Sequence, residues 1–283
     1  MARQRTDLLD PDEIKSNLKT KRIGRKILVY GSTSSTNDVA AEYARNRQND
    51  GLVVFAEEQT AGRGRAAGQW LSGRADSILC SIVLIENMLS AELLSLTCAV
   101  AVAEAIDGQG GSRAKIKWPN DVMLNGRKVA GILLESKSMP IADCRMSILK
   151  SNIENRKSKI YVVGIGINCH QKKESFTDEL QRIATSIDAE SNSVSDRILL
   201  AKRLLGSVDY WLEVAGKNSR EVIERWRSLS VQLGHRISVV FNGKRFTGHC
   251  VGVDPEKGLI IQLDTGAVRM FDAAHASIAK SFA

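Results

Sequence analysis

An α+β chain carrying a small C-terminal β-barrel is predicted by three features of the sequence. From residue 27 onward, short β-type runs alternate with helical segments. Composition shifts after about residue 229, and four strand-like runs then fall within roughly fifty residues, the density of a small barrel. Asn242-Gly243 separates two of those runs, a strong hairpin signal because both residue types accept φ > 0. Three regions follow: a lead-in over 1–26, a main domain over 27–228 and the barrel over 229–283.

Residues 1–26 are polar and end in the basic run Lys19-Thr20-Lys21-Arg22-Ile23-Gly24-Arg25-Lys26. Such a run is expected to be a solvated lead-in, and it is too short for a helix-turn-helix with its own core. Residues 27–30 read as a strand. Ser35-Thr36-Asn37-Asp38 then opens a helix to residue 44 with a Ser-x-x-Asp capping signal. A second β-type run covers 52–56 and, after a Gly/Arg-rich stretch, a buried strand covers 77–85. Ser90 caps a helix over 91–107 that is apolar nearly all round and therefore buried. Strands are expected over 115–118, 129–135 and 161–168. The connection 136–159 is long and polar, a hairpin arm or a mobile loop. An amphipathic helix covers 195–214, with Ile198, Leu205, Val208 and Leu212 at helical spacing, and a shorter one covers 220–227. The barrel strands are 236–241, 245–253, 259–263 and 268–271.

Composition narrows the class. The 283 residues carry 40 Lys+Arg against 32 Asp+Glu, a net charge of +8 that favours anionic partners without choosing among them. At 43% hydrophobic and 25% charged, the chain is an ordinary globule. Its most apolar windows, 78–85 and 93–106, fall short of the roughly 18–20 residues of a spanning helix. No secretory signal is visible at the N-terminus. Five cysteines (80, 98, 144, 169 and 250) without a C-x-x-C argue against a disulfide framework or zinc site and for a reducing cytoplasm.

Three clusters carry chemistry. In Glu58-Gln59-Thr60-Ala61-Gly62-Arg63-Gly64-Arg65-Ala66-Ala67-Gly68-Gln69-Trp70, glycines admit close backbone approach and arginines supply forked donors for phosphate or carboxylate. The alternative is a flexible basic loop. In Lys117-Trp118-Pro119-Asn120-Asp121, Pro119 bends the chain so that Lys117, Asn120 and Asp121 gather at a strand end. Lys128 begins the next strand, and Gly131 within it marks a place where something approaches the backbone. The plainer reading is a turn and an exposed hairpin charge. In Val162-Val163-Gly164-Ile165-Gly166-Ile167-Asn168, alternation puts Gly164, Gly166 and Asn168 on one face, a bare surface suited to a flat ring or ribose. A dinucleotide fingerprint fails at Cys169, and no G-x-x-x-x-G-K-[ST] occurs. Ser35-Thr36-Asn37 reads locally as a helix N-cap; a helix N-terminus with hydroxyls and an amide can also hold a ligand carbonyl.

In order and spacing, these clusters resemble the biotin protein ligases (biotin–acetyl-CoA-carboxylase ligases), over nearly the whole chain. The resemblance implies a mixed sheet with helices like that of class II aminoacyl-tRNA synthetases and an SH3-like C-terminal domain. It also implies activation of biotin with MgATP to biotinyl-5′-AMP, then transfer to a lysine of the biotin carboxyl carrier protein. Carried over by position, Ser35, Thr36, Asn37 and Gln59 would hold the biotin ring. Gly62, Arg63, Gly64 and Arg65 would close over the valerate and phosphate. Lys128, with Arg65 the expected catalytic pair, would sit at the carboxylate–phosphate junction beside Gly131. Asn168, Trp70, Lys117, Asn120 and Asp121 would face the nucleotide, with metal ligands left unassigned. The family often has a further Arg where this chain has Gly68. The DNA-binding domain of repressor-type members is missing, so neither DNA binding nor a membrane is expected; a homodimer is left open. Two other readings compete: a lipoate or octanoate ligase on the same scaffold, and a nucleic-acid-binding module resting on the charge of +8.

Overall fold

The computed structural model describes residues 7–65, 68–85, 87–107, 113–137, 159–191 and 193–279. In chain order, its helices are α1 (Pro11–Lys15), α2 (Thr36–Tyr43), α3 (Ala91–Ile106), α4 (Asp178–Gln181), α5 (Ile187–Glu190), α6 (Arg197–Lys217) and α7 (Ser219–Leu229). The strands of the main sheet are β1 (Ile27–Tyr30), β2 (Val53–Ala56), β3 (Ser77–Leu84), β4 (Lys115–Lys117), β5 (Asp121–Leu124), β6 (Arg127–Lys137) and β7 (Ile160–Asn168). The strands β8 (Arg236–Phe241), β9 (Lys244–Asp254), β10 (Gly258–Leu263), β11 (Val268–Phe271) and β12 (Ala276–Ile278) form a second sheet.

Among the described residues, the main sheet has seven strands in the order β1-β2-β3-β7-β6-β5-β4. Only β1 and β2 run parallel within it, so the sheet is mixed. Alternation along the strands sends Val53, Phe55, Ile78, Ile82, Val163, Ile165 and Ile167 to one face, where α3, α6 and α7 cover them. α3 is buried nearly all round because it lies between the sheet and α6; Ser90 caps it by accepting from Leu93 N–H at 3.0 Å. The opposite face carries α2, whose Ala40, Ala41 and Ala44 pack on Leu52, Val54, Val83, Ile85 and Val162. One thinly covered face is where a cleft can open.

The second sheet is antiparallel, in the order β11-β10-β9-β8-β12. Its Val239, Cys250, Leu259, Ile261 and Phe271 join the same continuous core as α3. Asn242-Gly243 makes the expected hairpin, with φ of 48° and 75°. No helix among the described residues is long and apolar enough to cross a membrane.

Several expectations change. The N-terminal lead-in keeps Lys19, Lys21, Arg25 and Lys26 in solvent but is anchored by its apolar residues: Leu9, Ile14 and Ile23 are buried, and the Asp209 carboxylate on α6 accepts the backbone N–H groups of Lys21, Arg22 and Ile23 at 2.7–2.9 Å. Asp209 and its neighbour Glu213 meet the basic run, Lys21 pairing with Glu213 while its side chain stays largely in solvent. β5 and β12 were not anticipated. β5 is short, and its turn to β6 is a second Asn-Gly, Asn125-Gly126, with φ of 48° and 77°. Most of the connection 136–159 lies outside the described residues.

Candidate active site

The cleft lies between the N-terminal turn of α2 and the thinly covered face of the sheet, and occupies about 490 Å³ counting the part open to solvent. Register builds its wall. Leu79, Gly166 and Gly131 stand side by side on β3, β7 and β6, and Ser81, Gly164 and Leu133 form the adjacent row. A Cβ on Gly164 would collide with the Asn37 side chain, and one on Gly166 would come within 2.5 Å of the Trp70 ring. These glycines are therefore needed for the close approach of two side chains. The bare face predicted from sequence exists, and the protein's own Trp70 lies on it.

At one end stands a neutral, buried polar set. The Gln59 amide oxygen accepts the Thr36 backbone N–H at 2.7 Å and the Thr36 hydroxyl at 2.9 Å. Ser81 Oγ lies 2.8 Å from Thr36 Oγ1 and 2.6 Å from Asn37 Oδ1, sharing its single proton between these acceptors. Among the described residues, Asn37 Nδ2 is buried without a hydrogen-bond partner. Ser35 occupies the N-cap position of α2, yet its side chain makes no capping bond; Gln59 takes the first N–H instead. The Ser-x-x-Asp capping expectation is thus corrected, and Ser35 lines the cleft.

At the other end stand two cations. Lys128 Nζ is 2.6 Å from Asp121 Oδ1 and 5.7 Å from the centroid of the Trp70 ring. Its backbone is fixed on both sides, donating to Ile183 O and accepting from Thr185 N–H, each at 2.8 Å. A register shift between β5 and β6 leaves Val129 without an opposite residue. Arg65 donates to the carbonyls of Ala273 and Ala276 from the second sheet and to Asn120 Oδ1 at 3.4 Å. Burial lowers the Arg65 pKa, against the pull of Asp121, Glu92 and Asp272. Asn120 is tied to β6 through its Nδ2 bond to Ile132 O at 2.7 Å.

Within the Gly/Arg stretch, residues 62–65 and 68–70 fold over the cleft. Gly64 N–H donates to Gly68 O and Trp70 N–H to Gly62 O, at 2.7 and 3.0 Å. Gly62 is required because a Cβ there would sit 2.6 Å from Trp70 O. Arg63 faces outward in part, paired with Asp38 and Glu135.

Of the residues expected from sequence, Ser35, Thr36, Asn37, Gln59, Arg63, Gly64, Arg65, Trp70, Asn120, Lys128 and Gly131 line this one cleft. Gly62 and Asp121 support it from one step behind. Lys117 and Asn168 do not line it: Lys117 stands on β4 opposite Asp121, and Asn168 donates to Thr185 O at 2.9 Å while accepting from Gln171. Sequence reasoning missed Leu79, Ser81 and Leu133, which only strand register brings to the glycine face. Among the described residues no group of three or more His, Cys, Asp or Glu side chains is placed to hold a metal.

Residues 29–152 match the model of the biotin/lipoate A/B protein ligase family. The chain is 30% identical over 275 residues to the bifunctional ligase/repressor BirA of Bacillus spizizenii, covering 94% of this chain and 78% of that one. It is 29% identical over 249 residues to the biotin–[acetyl-CoA-carboxylase] ligase of Mycobacterium tuberculosis, covering 84% and 85% of the two chains. In structure it resembles the biotin protein ligase of Aquifex aeolicus solved in complex with biotin and ATP, with a TM-score of 0.73 at 23% identity over 91% of this chain and all of that one. That last likeness speaks for the mixed α+β fold.

Proposed function

The chain belongs to the biotin/lipoate A/B protein ligase family, and from that premise we propose the reaction that its cleft performs and the residues that perform it. The protein is an ATP-dependent biotin ligase. A biotin carboxylate oxygen attacks the α-phosphorus of ATP, giving biotinyl-5′-AMP and pyrophosphate. A lysine amine of the biotin carboxyl carrier protein of acetyl-CoA carboxylase then attacks the acyl carbon, and AMP leaves. One observation carries the assignment of roles: a neutral polar set and a pair of cations share one cleft, with a glycine-lined wall between them.

The neutral set suits the ureido ring of biotin. Among the described residues Asn37 Nδ2 is a buried donor with an unmet bond, which a ring carbonyl would satisfy, and Ser35 and Thr36 stand beside it. The cations suit the join. Bringing a carboxylate to a triphosphate sets two anions together, so Lys128 and Arg65 offset the repulsion and the charge that develops at phosphorus. Asn120 and Asp121 hold those cations in position. Trp70 and the loop at Gly62, Arg63 and Gly64 cover the mixed anhydride and exclude water. Asn168, at the end of β7, and Lys117, opposite Asp121 on β4, keep the nucleotide-side roles that the family resemblance gives them, although neither lines the described cleft.

Magnesium enters as part of the MgATP substrate, with no protein ligand assigned to it. We assign residues 27–228 to catalysis and 229–283 to an SH3-like domain, a reading supported by the separate five-stranded antiparallel sheet. A cytoplasmic location fits the free thiols of Cys80, Cys98, Cys169 and Cys250.

ATP–pyrophosphate exchange with purified protein, run with biotin, lipoate and octanoate, tests the assignment. Exchange with biotin alone is expected. Exchange with lipoate or octanoate instead would overturn the assignment of the neutral set, and silence with all three would overturn the reaction.

A further inference from the structure

The Gly/Arg loop is anchored by side chains that leave it in different directions. Trp70 lies inward on Gly166, and Arg65 reaches the second sheet. Arg63 leaves by a third route. Its Nη1 and Nη2 donate to the two oxygens of Asp38 at 2.8 and 2.7 Å, a bidentate pair, and Nη2 also lies 3.3 Å from Glu135 Oε1. The two carboxylates belong to opposite walls of the cleft. Asp38 follows directly on Ser35-Thr36-Asn37 in the first turn of α2. Glu135 lies on β6, on the same strand face as Gly131 and Leu133 by alternation. The Arg63 guanidinium therefore spans from one wall to the other, with Gly64 and Arg65 beneath it lining the cavity.

We propose that Asp38, Arg63 and Glu135 form an ionic strap across the mouth of the cleft, and that Asp38 and Glu135 are positioning residues that keep the loop closed over the acyl adenylate. The inference rests on the biotin-adenylation reading for its substrate and on the loop geometry alone for the strap. Asp38 and Glu135 raise the pKa of Arg63 against the opposing effect of burial, so deprotonation of the guanidinium does not weaken the strap. Its strength is set instead by salt. The side chains of Arg63, Asp38 and Glu135 remain 40%, 48% and 28% exposed, so their attraction is modest and screened by mobile ions. A modest strap suits a lid that must open in every cycle. The turn of α2 that carries Asp38 also carries the neutral set, so a ligand held by Asn37 sits beside the anchor of the lid. Binding and closure are thereby coupled through two adjacent residues.

The test uses D38N, E135Q and the conservative D38E in the full chain. Hydrogen exchange of the peptide spanning residues 60–71, which holds the bonded amides of Gly64 and Trp70, reports the lid without any chemistry. In D38N this peptide is expected to exchange about fivefold faster, the loss of one good exposed ion pair. Wild type at about 0.5 M salt should approach the same value, residues 53–56 should stay as protected as before, and D38E should restore the wild-type rate. Release of preformed biotinyl adenylate should accelerate by the same factor. Unchanged exchange over 60–71 in both D38N and E135Q would overturn the strap. Faster exchange throughout β2 would overturn it too, as general destabilisation. Wild-type protein that forms no biotinyl adenylate would overturn the adenylation reading, and the exchange comparison would still decide the strap.

Discussion

At one end of the cleft Thr36, Gln59, Asn37 and Ser81 bond to one another in a single connected set, whereas at the other Lys128 and Arg65 are each held by a separate partner. On the proposed function, the difference follows from what each end would receive. A neutral ring gains from donors and acceptors already fixed in place, because burying an unordered polar group costs free energy that the ligand must offset. Anionic substrates bring their own charge, and before they arrive each cation needs a temporary counter-ion or acceptor. Asp121 serves Lys128, and the carbonyls of Ala273 and Ala276 serve Arg65. A prebuilt end and an exchangeable end should respond differently to mutation.

The largest effect should come from the exchangeable end. Lys128→Ala leaves the developing charge without its nearest cation, and pyrophosphate exchange should fall by about a hundredfold or more. Exchange at the wild-type rate would place the carboxylate–phosphate junction elsewhere. Arg65→Gly should come next, with adenylate release about ten- to a hundredfold faster, the loss of charge-assisted bonds of about 1.5–3 kcal/mol. Free adenylate would then label non-cognate lysines, which mass spectrometry of added bystander protein can count. A bystander free of label would show that Arg65 does not retain the intermediate. At the prebuilt end a single deletion should matter less. Ser81→Ala removes one bond of about 1 kcal/mol and should raise KM for biotin about fivefold with kcat nearly unchanged. A fall in kcat instead would mean that the two ends are not separable.

The same contrast explains what could be read from the sequence. Gly164, Gly166 and Gly131 announced a bare strand face because a mid-strand glycine is costly without a reason, and Lys128 and Arg65 stood out as cations set among glycines. Ser81 carried no such signal. It is one serine in an apolar strand, and only the pairing Ser81↔Gly164 brings it to Asn37. Asn168 is the opposite case: alternation puts it on the glycine face, while at the strand end its amide bonds to Thr185 O and Gln171 and it stands outside the lining of the described cleft. The helix and strand order from 27 to 135 was largely visible in periodicity. The anchoring of the lead-in was not, because it depends on Asp209, nearly two hundred residues away in sequence. β5 was overlooked although Asn125-Gly126 gives the same turn signal that located β8 and β9.

Glu92 sets the lower limit of the exchangeable end. It is 8% exposed near Arg65, accepts the Ala273 N–H at 2.6 Å through Oε1, and has no partner among the described residues for Oε2. Burial pushes its carboxyl above the ordinary value, with Asp272 adding to the rise while the Ala273 N–H and Arg65 oppose it. The folded chain thus holds this proton more tightly than the unfolded chain does. The contribution to stability is present in full below the ordinary carboxylate pKa and is lost as pH rises through the folded value. Glu92→Gln keeps an acceptor for Ala273 and carries no charge. Its melting temperature relative to wild type should therefore rise as pH climbs from about 4 to 7, by roughly 2–4 °C for each 1 kcal/mol in a chain of this size. Adenylate release should change little, since the Ala273 and Ala276 carbonyls still hold Arg65. If release in Glu92→Gln moved as far as in Arg65→Gly, the carboxylate and not the carbonyls would be what positions Arg65, and the exchangeable end would be a second prebuilt one.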